Sequence, residues 1–152
     1  MPKKETIQKA IKDKREGKSP STQAGEFVRE EIETIRKGEH GARSTKQAIA
    51  IGLSKARRAG VDLKPPEKGT VSEKTRKSAA SAYEKGQMHE PISHKRSIAR
   101  EQALKKEGTA AASHEALSRH ARLVAKKHTS AERSSIAKKA VATRKMIRSK
   151  NG

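Results

Sequence analysis

The side chains most able to do chemistry in this sequence are lysine and arginine, and the chemistry they offer is neutralisation of phosphate. A first cluster lies near the middle of the chain and comprises Arg43, Lys46, Lys55, Arg57 and Arg58. A second cluster runs along the C-terminal third and comprises Lys126, Lys127, Lys138, Lys139, Arg144, Lys145 and Arg148. Cations arranged along a helix displace the counterions of a nucleic acid, which makes binding favourable and dependent on salt. We therefore predict that both clusters contact nucleic acid.

The distribution of charge indicates which cluster matters more. The chain carries 37 basic and 17 acidic residues, a net charge of +20. Residues 109–152 carry 11 basic residues against only Glu115 and Glu132, a net charge of +9. Such self-repulsion disfavours a compact state and attracts polyanions. The expected partner is nucleic acid, most simply double-stranded DNA.

Other kinds of chemistry find little support. The absence of cysteine excludes disulfides and thiolate sites. No zinc-helix histidine pair, nucleophile elbow or phosphate-cradling glycine loop occurs. His89 and His94 could bind a metal, but they flank Pro91 in a polar stretch. A histidine among lysines more often adds partial positive charge against phosphate, or simply faces water. We predict no catalytic residue, no cofactor and no metal.

Membrane association is also not expected. No apolar run follows Lys3 and Lys4, so no secretory signal is visible. The uncharged run Gln47–Ser54 has eight residues, whereas roughly 20 are needed to span a bilayer. The basic segments lack the bulky apolar faces that interfacial helices use. These features predict a soluble protein of the cytoplasm.

Two helices with usable apolar faces are predicted near the centre. The first runs from about Thr22 to Lys37, with one face formed by Ala24, Phe27, Val28, Ile32 and Ile35. The second follows a capping box at Ser44 and Gln47 and ends near Gly60. Gly52 falls on its buried face, where it would permit close approach of the first helix. This helical hairpin is where we expect the core.

Three polar or aromatic residues raise specific alternatives. Glu31 falls within the apolar arc of the first hairpin helix, and we expect it to lie at the rim or to pair with Arg43 or Arg57. Tyr83 could stack on a base, although a lone tyrosine more often packs. A DNA-reading role for the second hairpin helix would depend on four side chains: Gln47, Ser54, Lys55 and Arg58. Sequence-independent binding is the better supported interpretation.

Composition limits how much of the chain is expected to fold firmly. Leu, Ile, Val and Phe make up 21 of 152 residues, about 14%, below the roughly 20% typical of ordered chains with high net charge. We predict a mostly α-helical protein with a small core and weakly folded or extended basic C-terminal helices. The expected segments are a charged N-terminal helix (1–19), the hairpin core (20–63), a linker (64–71), alanine- and charge-rich helices (72–108) and a basic C-terminal region (109–152).

Two blocks, Ser19–Ile32 and Gly41–Gly60, resemble an uncharacterised family of small basic bacterial proteins. The most specific part is Ser-Thr-Lys-Gln-Ala-Ile-Ala-Ile-Gly-Leu-Ser-Lys-Ala-Arg, residues 44–57. The alanine- and lysine-rich tail is similar to linker-histone tails. The resemblance implies a bacterial cytoplasmic protein, with no activity to carry over.

Together these observations favour a non-enzymatic protein that binds DNA largely without sequence preference, of the nucleoid-associated or DNA-protecting type. The first alternative is binding to RNA or to the ribosome, which the sequence does not distinguish from DNA binding. The second is a protein-interaction module whose hairpin helices dock a partner and whose tail only solubilises it.

Overall fold

Helices alone build this fold. The computed structural model describes residues 1–152 and contains no β-strand, with 70% of the chain helical. Its seven α-helices are α1 (Lys4–Arg15), α2 (Pro20–Arg36), α3 (Thr45–Arg58), α4 (Glu73–Gln87), α5 (His94–Lys105), α6 (His114–Lys126) and α7 (Ser130–Lys150). A 3₁₀ turn, Ala110–Ala112, precedes α6.

A hydroxyl begins every helix after α1. In each case the N-cap side chain accepts a hydrogen bond from a backbone amide of the first turn, and these caps are Ser19, Ser44, Ser72, Ser93, Ser113 and Thr129. Such a cap satisfies an otherwise unpaired amide and stabilises a helix by about 1 kcal/mol. Gly60, with φ of 89°, ends the α3 segment as predicted.

The core is centred on α2 and α3 and extends beyond residues 20–63. One buried cluster joins α1, α2 and α3 and contains Ala10, Ala24, Phe27, Ala56 and Val61. The other joins α2 and α3 to the 3₁₀ turn and contains Ile32, Ile35, Ala42, Ala48, Ala111 and Ala112. Phe27 is only 1% exposed, which confirms its expected place in the core.

The segment before α6 is tied to the hairpin by backbone hydrogen bonds. The amide of Gly41 donates to the carbonyl of Leu104 (2.9 Å), and the amide of Ala42 donates to Gly108 (3.0 Å). The Thr45 hydroxyl donates to the carbonyl of Ala111 (2.6 Å). Residues 104–112 are therefore an integral part of the folded body.

The prediction of weakly folded or extended C-terminal helices was wrong, as was that of a partly disordered chain. Residues 72–150 form four regular α-helices, each with a side-chain cap. An estimate from large apolar side chains undervalues alanine: Ala79, Ala82, Ala111 and Ala112 are buried, and small side chains allow helix backbones to pack closely. Helices α6 and α7 bury no residue, and local signals such as the Ser113 and Thr129 caps favour their formation.

Gly52 confirms the close approach predicted for it. A Cβ atom built at Gly52 would lie 2.6 Å from the Cα atom of Val28, on the backbone of α2. Because backbone cannot move aside cheaply, we expect Gly52→Ala to lower the free energy of unfolding by about 1–3 kcal/mol. Urea denaturation followed by circular dichroism measures this.

Gly25 provides the matched control for that substitution. It lies within α2, and a Cβ atom there would meet no other atom within 4 Å. Gly25→Ala should stabilise the protein by up to about 1 kcal/mol, because alanine is the better helix former. Equal effects at the two glycines would contradict the packing described here.

Candidate nucleic-acid interface

The longest helix, α7, carries more basic residues than any other helix of the protein. Of its 21 residues, seven are basic and only Glu132 is acidic. Thr143 and Ile147 are half-buried, whereas every other residue of the helix is exposed. These two lie one turn apart and mark the less exposed face of the helix, and near its C-terminal end Met146 and Lys150 approach Gly17. The remaining circumference of α7 is open to a partner.

The basic side chains of α7 occupy that open circumference. At 100° per residue, Lys138 and Lys145 lie opposite the half-buried face and Arg148 lies beside them, whereas Arg144 and Lys139 lie on the two sides closer to the half-buried face. Lys138 and Lys145 also line one shallow surface groove. All five predicted contact residues on this helix are thus exposed, and three of them share a face.

No counterion within the protein neutralises this surface. None of the ten ion pairs in the protein involves a basic residue of α7. Glu132 lies at the start of the helix, where it accepts the backbone amide of Thr129 (2.8 Å) in a capping box. This hydrogen bond lowers the pKa of Glu132. The one acid of the helix is therefore engaged away from the cations.

The remaining predicted residues of the tail continue this exposed surface. Lys126 ends α6 and Lys127 caps it, and both are exposed. His128 lies between them and α7, with its Nδ1 3.5 Å from Glu132 Oε2. The structure therefore places all seven C-terminal candidates on two consecutive helices with free side chains.

The structure does not bring the cations of the central cluster together on one exposed surface. Arg43 and Lys46 are exposed, and Arg43 lies 3.8 Å from Glu107. Arg57 is buried and donates from Nε to the carbonyl of Leu63 (3.0 Å), and its burial lowers its pKa. Arg57 thus anchors the segment after α3 and presents no cation to the surface.

Lys55 has a buried partner that the sequence analysis did not identify. Its ammonium donates to Glu31 Oε2 at 2.6 Å. Glu31 is completely buried and pairs with Lys55, so both expectations, a rim position or a pair with Arg43 or Arg57, were wrong. The physical reason is geometric, because Lys55 lies on the face of α3 that packs against α2 and its long side chain reaches the carboxylate.

The other oxygen of Glu31 faces His40. The two are 3.3 Å apart, between Oε1 and Nε2, yet Oε1 accepts no hydrogen bond. His40 Nδ1 lies 3.0 Å from the carbonyl of Gly41, to which it can donate. Lys55 is the only side chain that donates a hydrogen bond to the buried carboxylate.

Arg58 extends towards α4 and α5 and lines a cavity there. Its Nη2 donates to the carbonyls of Glu90 (3.1 Å) and Pro91 (3.3 Å). The same cavity is lined by Lys85, Arg96 and Arg100, which the sequence analysis did not single out. The spacing of Arg96 and Arg100, four residues apart, was a signal for a shared helix face. Nothing in the sequence placed that face opposite Arg58.

Most of the side chains that could read bases are engaged elsewhere. Gln47 accepts the amide of Arg43 (2.6 Å), and Lys55 and Arg58 are held as described above. The Tyr83 hydroxyl donates to Asp62 Oδ1 (2.6 Å), which raises the pKa of the tyrosine. The exposed surface of the protein therefore offers charge more than base recognition.

None of the seven helices combines the length and apolar character needed to cross a bilayer. No family model, no curated protein and no solved structure matches this chain. The resemblance of residues 19–60 to small basic bacterial proteins stays a prediction.

Proposed function

We propose that this is a non-enzymatic protein that binds duplex DNA largely without regard to sequence, through the outward face of α7. The observation that carries the proposal is the row of cations on that helix without any acidic neighbour to neutralise them. From Arg133 to Arg148 the helix spans about 22 Å, at 1.5 Å per residue. Duplex DNA presents one phosphate charge per ~1.7 Å of axis, so several phosphates lie within that reach.

The elements around α7 support a charge-based mode of binding. Lys126 and Lys127 extend the basic surface beyond the start of the helix. A B-DNA major groove, about 12 Å wide, admits one α-helix. Apart from the exposed apolar residues Ile136, Val141 and Met146, α7 offers mainly lysine, arginine, serine and alanine side chains, which suit phosphate contacts rather than bidentate base contacts. A nucleoid-associated or DNA-protecting role in a bacterial cytoplasm is the corresponding biological proposal.

A protein-interaction role for the hairpin helices has less support. The apolar faces of α2 and α3 pack against α1, the 3₁₀ turn and Leu117 of α6 within the same chain. A partner that docked on these faces would have to displace that core. RNA remains an alternative, because its phosphates offer the same charge.

The test compares nucleic acids of one length with the intact protein by fluorescence anisotropy. Two duplex DNAs of unrelated sequence should bind with affinities within about threefold of each other, because phosphate contacts carry no sequence information. A duplex RNA of equal length identifies the preferred polymer. Failure to bind any of the three, or strong preference for one DNA sequence, would overturn the proposal. If the protein bound the RNA and neither DNA, the proposal of DNA as the ligand would be wrong and RNA would take its place.

A further inference from the structure

A second cationic site lies away from α7, in a cavity between α3, α4 and α5 and the N-terminal residues. Its volume is about 720 Å³, within the range of small-molecule pockets, about 300–1,000 Å³. Ser54, Lys55 and Arg58 enter it from α3, and Met1 and Ile7 lie at its N-terminal side. The cavity does not involve α7, so it is separate from the proposed DNA surface.

The lining of this cavity is strongly basic. Five cations converge from three helices: Lys55, Arg58, Lys85, Arg96 and Arg100. The only acidic residue among the lining residues is Glu90. Of the five cations only Lys55 is in an ion pair, with Glu31, which lies outside the cavity. Four of the positive charges that line the cavity therefore have no ion-pair partner within the protein.

Hydroxyl groups and a helix start add hydrogen-bonding capacity. Five serines line the cavity: Ser54, Ser78, Ser81, Ser93 and Ser97. Ser93 is also the N-cap of α5, so the first turn of that 12-residue helix opens at the cavity. The amides of a first turn have no partner within the helix and favour anions. Hydroxyls, amides and guanidinium groups together are the donors that phosphates accept.

Arg58 supplies a second and independent observation. Its Nη2 is fixed by the carbonyls of Glu90 and Pro91, whereas its Nη1 is fully buried and has no hydrogen-bond partner. Buried polar groups are nearly always paired, so an orphaned guanidinium nitrogen indicates a missing acceptor. Arg58 lines the cavity, but Nη1 has no exposed surface there, so the guanidinium would have to turn for an anionic oxygen to reach it.

We propose that this cavity binds a small, multiply phosphorylated anion. The four unpaired cations call for more than one negative charge, and the volume accommodates a chain of two or three phosphates. No aromatic side chain lines the cavity, so nothing there would stack on a base. Recognition therefore centres on the phosphates. This inference goes beyond the proposed DNA binding and does not depend on it.

The test is calorimetric titration of the intact protein with tripolyphosphate, with pyrophosphate and sulfate as smaller anions. Tripolyphosphate should bind at one site and more tightly than sulfate. The double variant Arg96→Gln/Arg100→Gln should weaken that binding by about tenfold or more, because each lost charge-assisted hydrogen bond removes at least a few-fold in affinity. Both arginines are exposed and free of ion pairs, so the variant should fold.

Arg119→Gln/Arg122→Gln provides the matched control, with the same charge removed from exposed positions on α6. It should change tripolyphosphate affinity less than twofold. Equal loss in both double variants would overturn the proposal, because binding would then follow net charge. Absence of tripolyphosphate binding would also overturn it. If removal of the α7 cations abolished tripolyphosphate binding, the phosphate would bind at the DNA surface, and the proposal of a separate site would be overturned.

Discussion

Replacing Lys138, Lys139, Lys145 and Arg148 by glutamine is expected to weaken binding to duplex DNA about 100-fold or more at 0.1 M salt. Each phosphate neutralised by a side chain contributes about 0.9 to the dependence of log K on log salt. Four lost contacts therefore remove a large part of the affinity. All four residues are exposed and unpaired, so the helix itself should remain intact. Fluorescence anisotropy with a labelled duplex measures the change.

The control for that variant removes the same charge from another part of the body. Lys9, Lys14, Lys74 and Lys77 are exposed on α1 and α4, and none forms an ion pair. Their replacement by glutamine should weaken duplex binding less than about fivefold, through the reduced overall field alone. If both quadruple variants lost affinity equally, α7 would have no special role. Circular dichroism of both variants checks that helix content is unchanged.

The second large effect is expected at Lys55, which neutralises the buried Glu31. Lys55→Met should lower the free energy of unfolding by about 3 kcal/mol, because it leaves a carboxylate buried without its cation. Lys55 is itself 25% exposed and His40 lies close to Glu31, which places the value at the lower end for such pairs. Chemical denaturation at neutral pH measures the loss.

Two further variants identify the cause of that loss. Adding Glu31→Gln to Lys55→Met should recover much of the stability, since the uncompensated buried charge is removed. Lys46→Met alters an exposed lysine of the same helix that forms no ion pair, and should change stability by less than about 0.5 kcal/mol. If Lys55→Met were as harmless as Lys46→Met, the ion pair would have no structural role.

The helices were predictable from the sequence because their signals are local. Ser44 and Gln47 marked the start of α3, and Gly60 marked its end. The charged segment 1–19 and the alanine- and charge-rich segment 72–108 likewise contain helices, namely α1 in the first and α4 and α5 in the second.

The extent of the core could not be predicted, because it depends on contacts between distant alanines. Ala111 and Ala112 pack against Ile32 and Ile35, more than 70 positions earlier in the chain. An alanine gives no periodic signal of its own burial. The same holds for charge, since Arg57 and Lys126 are both basic in sequence but only one is buried. Tertiary packing decides which cations remain free.

Salt dependence tests most directly whether unneutralised cations on α7 hold a phosphate polymer. For duplex DNA, log K of the intact protein should fall linearly with log salt at a slope near −6 if the seven C-terminal candidates each neutralise one phosphate, and the quadruple α7 variant should show a slope near −3. A flat line for the intact protein, or equal slopes for the intact protein and the α7 variant, would contradict the account.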